Sequence, residues 1–430
     1  MRLPSLIGGI GAVVVAWYLG RRWFGTRGGA ILALLCAVCP SYIFFSREAR
    51  PYSVGLFAIY GFLLSLSAFR RRSDTCRAVL LGFTCLAAIA LQYANAVVVG
   101  VGLGVLAWDL RRDGPGKWSS LARCGCVAGA AGATAAVTIL ALMRHQVEIQ
   151  GTGSTDFLKD YFYHFDSLSS IVSFLPHSTA GFLKFTTFAE FMASSWGTVC
   201  LLGWLPLLPA TVGVIWRPGP QRLLGTVSLG TFAAFVFLAG VGAHPFGAIR
   251  HTLPLTPGIF LLFTYGVVTL LERGGAWAPL GWACPSLLII QMLAADYAVV
   301  PDYMTYQMRD MLAGIESKST SEDCVVAVGP WTCASLSHYV GSSRRFANIA
   351  YVQFPWAPQL ADSSDFRHAV ETSFERSSNL WVLGVGPPRK IDLSEMGAVC
   401  IEERVTMGVH GFRWTLPGRG ASPRPDFPSP

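Results

Sequence analysis

The chain has 430 residues, of which 52% are hydrophobic and 13% charged, with a formal net charge of +8. Soluble globular proteins carry about 25% charged residues, and the mean hydropathy here is +0.47. These values exclude a disordered protein, a nucleic-acid-binding domain and an ordinary cytosolic enzyme, and they imply a polytopic α-helical membrane protein.

A spanning helix needs about 20 mostly apolar residues. In chain order the candidate spans are 5–20, 28–46, 51–69, 78–94, 95–110, 122–143, 196–216, 222–243, 253–271 and 277–298, about ten in all. The pair over 78–110 is tight and turns at Gln92-Tyr93-Ala94-Asn95. Gly125, Gly129 and Gly132 in the sixth span suit close helix–helix approach.

Between the spans the basic residues cluster: Arg21, Arg22 and Arg27; Arg70, Arg71, Arg72 and Arg77; Arg111, Arg112, Lys117 and Arg123; Arg217 and Arg222; Arg273. Such clusters mark cytoplasmic loops. No aromatic residues interleave with them as an RNA-binding surface requires, so no nucleic-acid partner is expected. Placing all five inside puts both termini, the turn at 92–95 and the loops 45–52, 144–195 and 244–252 outside. An outward N-terminus this close to its first span would more naturally follow another helix that starts inside.

The 144–195 loop has Phe or Tyr at nearly every third or fourth position, which suits amphipathic helices at the membrane interface. Its aromatics can serve as a plain interfacial belt or as a lipid or acceptor contact. After 299 the composition turns acidic. The runs 325–329 and 380–386 read as short buried strands, and Phe366, Val370 and Phe374 have helical spacing between them. The expected organisation is therefore a membrane domain over 1–299, a small α/β extracytoplasmic domain over 300–416 and a disordered tail over 417–430. Cys324, Cys333 and Cys400 fall in the outer domain, where one disulfide is possible. No spacing forms a zinc site, and no nucleotide-binding or nucleophile motif is present.

Two outer turns concentrate polar groups. Ser46-Arg47-Glu48-Ala49-Arg50-Pro51-Tyr52 sets three charges between apolar helices. A carboxylate flanked by two arginines is more than an interfacial anchor needs. In His244-Pro245-Phe246-Gly247-Ala248-Ile249-Arg250-His251 a guanidinium beside an imidazole can grip a phosphate bidentately, or simply touch a lipid headgroup. Span centres are almost free of ionisable residues, which argues against an ion-coupled transporter and for chemistry at the outer surface.

The segments RLPS (2–5), GRRWFG (20–25), CPSYIFFSREARPY (39–52) and AIRHTLPLTPGIFLL (248–262) resemble the GT-C glycosyltransferases. The resemblance is to the branch of protein O-mannosyltransferases and of the lipid A aminoarabinose and galacturonosyl transferases, with His251 where tyrosine is usual. It implies transfer of one sugar, with inversion, from a polyprenyl-phosphate donor to a glycan, lipid or protein acceptor at the outer face of a plasma (inner) membrane. Carried over, Glu48 falls at the family's second outer acidic position and is the catalytic candidate. Arg47, Arg50, Arg250 and His251 are the donor-phosphate candidates, and Tyr52, Gln92, Tyr93 and His244 are the substrate-pocket candidates. No cofactor and no metal ligand are implied, and a divalent metal is left open. In the family a helix and an outer loop bearing the principal base precede RLPS, so the expectation is an N-terminally truncated chain. The alternative is a non-catalytic lipid-donor-binding or scaffold membrane protein.

Overall fold

The computed structural model describes residues 3–47, 51–112, 118–150, 163, 168–189, 201–216, 221–247, 250–298, 307–318, 323–328, 350–354, 368, 370–373, 379–385, 393, 398–406 and 409–415. The chain divides into two compact units, Met1–Val300 and Pro301–Pro430.

The first unit is helical: α1 (Leu3–Ala37), α2 (Pro40–Arg47), α3 (Tyr52–Arg71), α4 (Thr75–Leu91), α5 (Asn95–Arg112), α6 (Trp118–Gln150), α7 (Leu168–Thr186), α8 (Leu207–Trp216), α9 (Gln221–Gly240), α10 (Thr256–Arg273) and α11 (Ala278–Ala298). Six helices among the described residues are long and apolar enough to cross a membrane, with two shorter apolar ones at Thr75–Leu91 and Leu201–Val214. Leu3, Leu6, Ile7, Ile10 and Val14 are all exposed on one helix. Such a stripe is stable only against hydrocarbon. The protein is an integral membrane protein.

α1 is two helices folded back at Gly25, whose φ of 72° and ψ of −175° leave the helical region. A positive φ costs glycine nothing and other residues about 1 kcal/mol or more. The two arms touch through glycines: a Cβ at Gly20 would lie 2.8 Å from the Gly28 carbonyl, and one at Gly29 2.9 Å from the Arg21 amide nitrogen. The first arm runs alongside α3, where Ser53 Oγ donates to the Ser5 carbonyl at 2.7 Å. Asp74 caps α4 by accepting from the Arg77 amide at 2.9 Å. At the other end Asn95 Nδ2 donates to the Ala88 carbonyl at 2.8 Å, closing the turn into α5.

Two expectations need correction. The helix expected to end at 143 continues as α6 to Gln150, because Arg-His-Gln-Val-Glu-Ile-Gln holds no helix breaker before Gly151. The expected span 196–216 is broken at Trp204-Leu205-Pro206, where the proline cannot donate a helical hydrogen bond; residues 191–200 lie outside the described residues. In the segment 144–195, Phe182 of α7 and Phe188 just beyond its end are buried. Phe182 packs on Phe246 with ring centroids 6.5 Å apart, and Phe188 on Phe44 at 5.8 Å. Ser41 Oγ donates to the Phe185 and Thr186 carbonyls, 2.9 Å from each, fastening the end of α7 to α2.

The second unit holds α12 (Gln307–Lys318) and strands β1 (Asp323–Val328), β2 (Ala350–Phe354), β3 (Asn379–Val385), β4 (Val399–Thr406) and β5 (Val409–Thr415). The sheet order is β2-β1-β3-β5-β4. β1 is parallel to β2 and β3, while β5 is antiparallel to β3 and β4. Cys324, Leu380, Val382, Phe412 and Trp414 pack on one face with Val370. Cys324 and Cys400 are both free thiols, so no disulfide joins these two. Leu380 and Trp414 stand between them in the sheet. Cys333, Phe366 and Phe374 lie outside the described residues, as does the tail over 417–430.

Candidate functional site

Tyr52 opens α3, Tyr93 sits in the turn between α4 and α5, His244 follows α9, and Arg250-His251 opens the 3-10 turn Arg250–Leu255 that leads into α10. α3 and α4 carry Arg70, Arg71 and Arg77 at their opposite ends. The site therefore lies about one bilayer thickness from the main basic cluster.

The local sequence explains why these residues meet. α9 ends in a Schellman cap: Gly242 has φ 68°, its amide donates to the Ala239 carbonyl, and the Ala243 amide donates to that of Leu238 at 2.8 Å. That cap reverses the chain and delivers His244 inward, 5% exposed. Thr252 Oγ1 donates to the Gly247 carbonyl at 3.0 Å, tying the following loop. Prolines 254 and 257 then set the entry into α10. On the other side Gly55 of α3 lets the 92–95 turn approach, because a Cβ there would lie 3.0 Å from Gln92 Oε1.

The result is a triangle of rings. Tyr93 and His244 centroids are 6.2 Å apart, Tyr93 and His251 6.3 Å, and His244 and His251 6.1 Å. Tyr93 OH and His251 Nδ1 are hydrogen-bonded at 3.2 Å. Phe235 closes on His244 edge-to-face at 4.9 Å. Tyr52 and Arg250 lie close enough to act electrostatically on the Tyr93 phenol, and Arg250 also acts on His251. Tyr52 in turn packs on Phe45 at 5.0 Å.

His244 Nδ1 faces the Pro245 carbonyl at 2.9 Å. A carbonyl only accepts, so Nδ1 carries the proton and the neutral ring keeps its lone pair on Nε2. Nε2 is buried and has no partner among the described residues. Burial lowers the His244 pKa below its ordinary value of 6.5, and the hydrogen bond to Pro245 partly offsets this. The sign follows directly: below pH 6.5 the unfolded chain takes a proton that the folded imidazole refuses, so this residue's contribution to stability is lost as pH falls. A thermal melting series from pH 7.5 down to pH 5.5 should show a falling midpoint, and His244→Gln should flatten that slope. An unchanged slope would remove His244 from this account.

Of the sequence-derived candidates, Tyr52, Tyr93, His244, Arg250 and His251 come together. Gln92 turns its Oε1 toward Gly55, on the α3 side of the turn. Arg47 ends α2, and Glu48 and Arg50 lie outside the described residues. Phe235 and Asn95 escape a reading by charged motif. The signal for Phe235 is the Gly242 helix stop, which fixes which turn of α9 faces His244.

No family model matches the sequence, and no curated protein matches it. Among solved structures the chain is similar to ArnT from Cupriavidus metallidurans in the apo state, with 13% identity and a TM-score of 0.51, over 96% of this chain and 83% of that one. ArnT from Cupriavidus metallidurans bound to undecaprenyl phosphate aligns with 12% identity and a TM-score of 0.49, over 98% and 85% of the two chains. The likeness to apo ArnT is one of fold, and the chain has an ArnT-like fold.

Proposed function

We propose that the chain is a glycosyltransferase that moves a sugar from a polyprenyl-phosphate donor to a glycan, lipid or protein acceptor at the outer face of the plasma membrane. The observation that carries this reading is the Tyr93–His244–His251 triangle beside Arg250, at the end of the bundle away from the main basic cluster. About ten spans, with the unit after 300 on the outer side, complete the topology.

Arg250 and His251 hold the donor phosphate, together with Arg47 and Arg50 of the 46–52 segment. A guanidinium matches phosphate geometry and stabilises the charge that develops as the phosphate leaves. Tyr93 orients His251 through their hydrogen bond. His244 Nε2 accepts a hydrogen bond from a sugar hydroxyl, which satisfies its buried lone pair. In the transfer step the acceptor oxygen bonds to the anomeric carbon from the side opposite the phosphate. The carbon–oxygen bond to phosphate breaks, its electron pair stays with the polyprenyl phosphate, and the acceptor proton passes to the Glu48 carboxylate. The anomeric configuration inverts.

The test is transfer in vesicles that contain the full chain, a polyprenyl-phosphate sugar and a candidate acceptor. Glu48→Gln should lower turnover at least about 100-fold while donor binding persists. Donor binding by the wild-type chain without any transfer would favour the scaffold reading instead, and absence of both would sink the proposal.

A further inference from the structure

A second cluster lies at the far ends of α1, α3 and α4. Arg71 stacks its guanidinium over the Trp23 ring, 5.2 Å from the centroid. The charges of Arg71 and Arg77 both act on Arg22, so three guanidinium groups from three helices crowd one place. Negative charge there is scarce. Asp74 pairs with Arg77 and is reached by Arg72 at 3.5 Å, while Asp109 pairs with Arg70. Arg22 and Arg71 are exposed and have no carboxylate partner among the described residues.

Like charges held together by tertiary structure repel unless an anion sits among them. Contact with the Trp23 ring holds the Arg71 guanidinium in place, and a guanidinium fork matches the geometry of a phosphate. At one helix length from Tyr52 the cluster lies where the phosphates of the opposite leaflet run.

We propose that Arg22, Arg71 and Arg77 form a binding site for the phosphate headgroup of an anionic phospholipid, distinct from the site around Tyr93. The site needs no turnover and stands whether or not the chain transfers a sugar. It predicts a defined lipid neighbour, where a general positive surface charge predicts only a diffuse excess of anionic lipid.

The experiment titrates the full chain in mixed micelles with phosphatidylglycerol, and with phosphatidylcholine for comparison, counting bound lipid by native mass spectrometry. Phosphatidylglycerol should bind in preference, about fivefold more weakly for each arginine removed, so that Arg22→Gln/Arg71→Gln abolishes the preference. Arg111→Gln/Arg112→Gln, which removes the same charge from α5, should leave it intact. Equal binding of the two lipids, a preference that survives Arg22→Gln/Arg71→Gln, or an equal loss in the α5 variant would each overturn the site. So would displacement of the lipid by inorganic phosphate in excess, since that marks a free-anion site. Should Arg22→Gln/Arg71→Gln fail to fold, the wild-type comparison and the phosphate competition decide the matter, joined by Arg71→Lys, which keeps the charge and should weaken binding by losing the planar fork.

Discussion

Arg250→Ala is expected to lower sugar transfer by about 100- to 1,000-fold, the range found when one preorganised charge-stabilising group is removed. The expectation rests on position. Arg250 acts on both Tyr93 and His251, so its charge reaches the two groups that are hydrogen-bonded to each other. The loss should fall on kcat as well as on kcat/KM, because a leaving phosphate carries more charge in the transition state than in the bound donor. Arg250→Lys keeps the charge without the fork and should lie between the two. Transfer by Arg250→Ala at the wild-type rate would mean that the donor phosphate is held elsewhere.

Gly266→Ala should act on folding instead. A Cβ at Gly266 in α10 would stand 1.9 Å from the Pro206 carbonyl oxygen and 2.7 Å from its carbon, with Ala210 Cβ at 3.2 Å. The obstacle is backbone, and that carbonyl also accepts from the Ala210 amide at 3.2 Å, the bond that starts α8. No rotamer change relieves the clash. The helices must part, at a cost of about 3 kcal/mol or more. Thermal unfolding followed by size exclusion should show a large loss of folded protein. Gly100→Ala, where nothing lies within 4 Å, should match the wild type or exceed it slightly through better helix propensity. Equal midpoints for Gly266→Ala and wild type would show that the α8–α10 contact is looser than described.

The parts legible in the sequence are those set by composition over a whole helix. The apolar lengths locate α3, α4, α5, α9, α10 and α11 to within a few residues, because a helix in lipid has no alternative way to satisfy its backbone. Breaks inside apolar runs are less visible. Pro206 interrupts its run although prolines 176 and 285 are carried inside helices. The β4–β5 pair was not expected either: Val-Cys-Ile-Glu-Glu-Arg-Val-Thr alternates only partly, and its pairing with β5 is antiparallel where β1 and β3 are parallel. For the site, the motif residues Arg250 and His251 stood out by charge. Their meeting with Tyr93 is a property of the Gly242 cap and of the Gly55 approach, tertiary facts that no window of sequence contains.

The reversal at Gly25 also bears on how the chain enters its membrane. With no loop between the two arms of α1, neither arm can pass through a translocation channel and settle independently of the other. They form a single helical hairpin, and Arg21, Arg22 and Arg27 ride at its tip. Carrying three guanidinium groups across hydrocarbon costs several kcal/mol for the hairpin as a whole. The tip therefore stays on one side of the membrane, and the hairpin holds its own two arms in a fixed orientation.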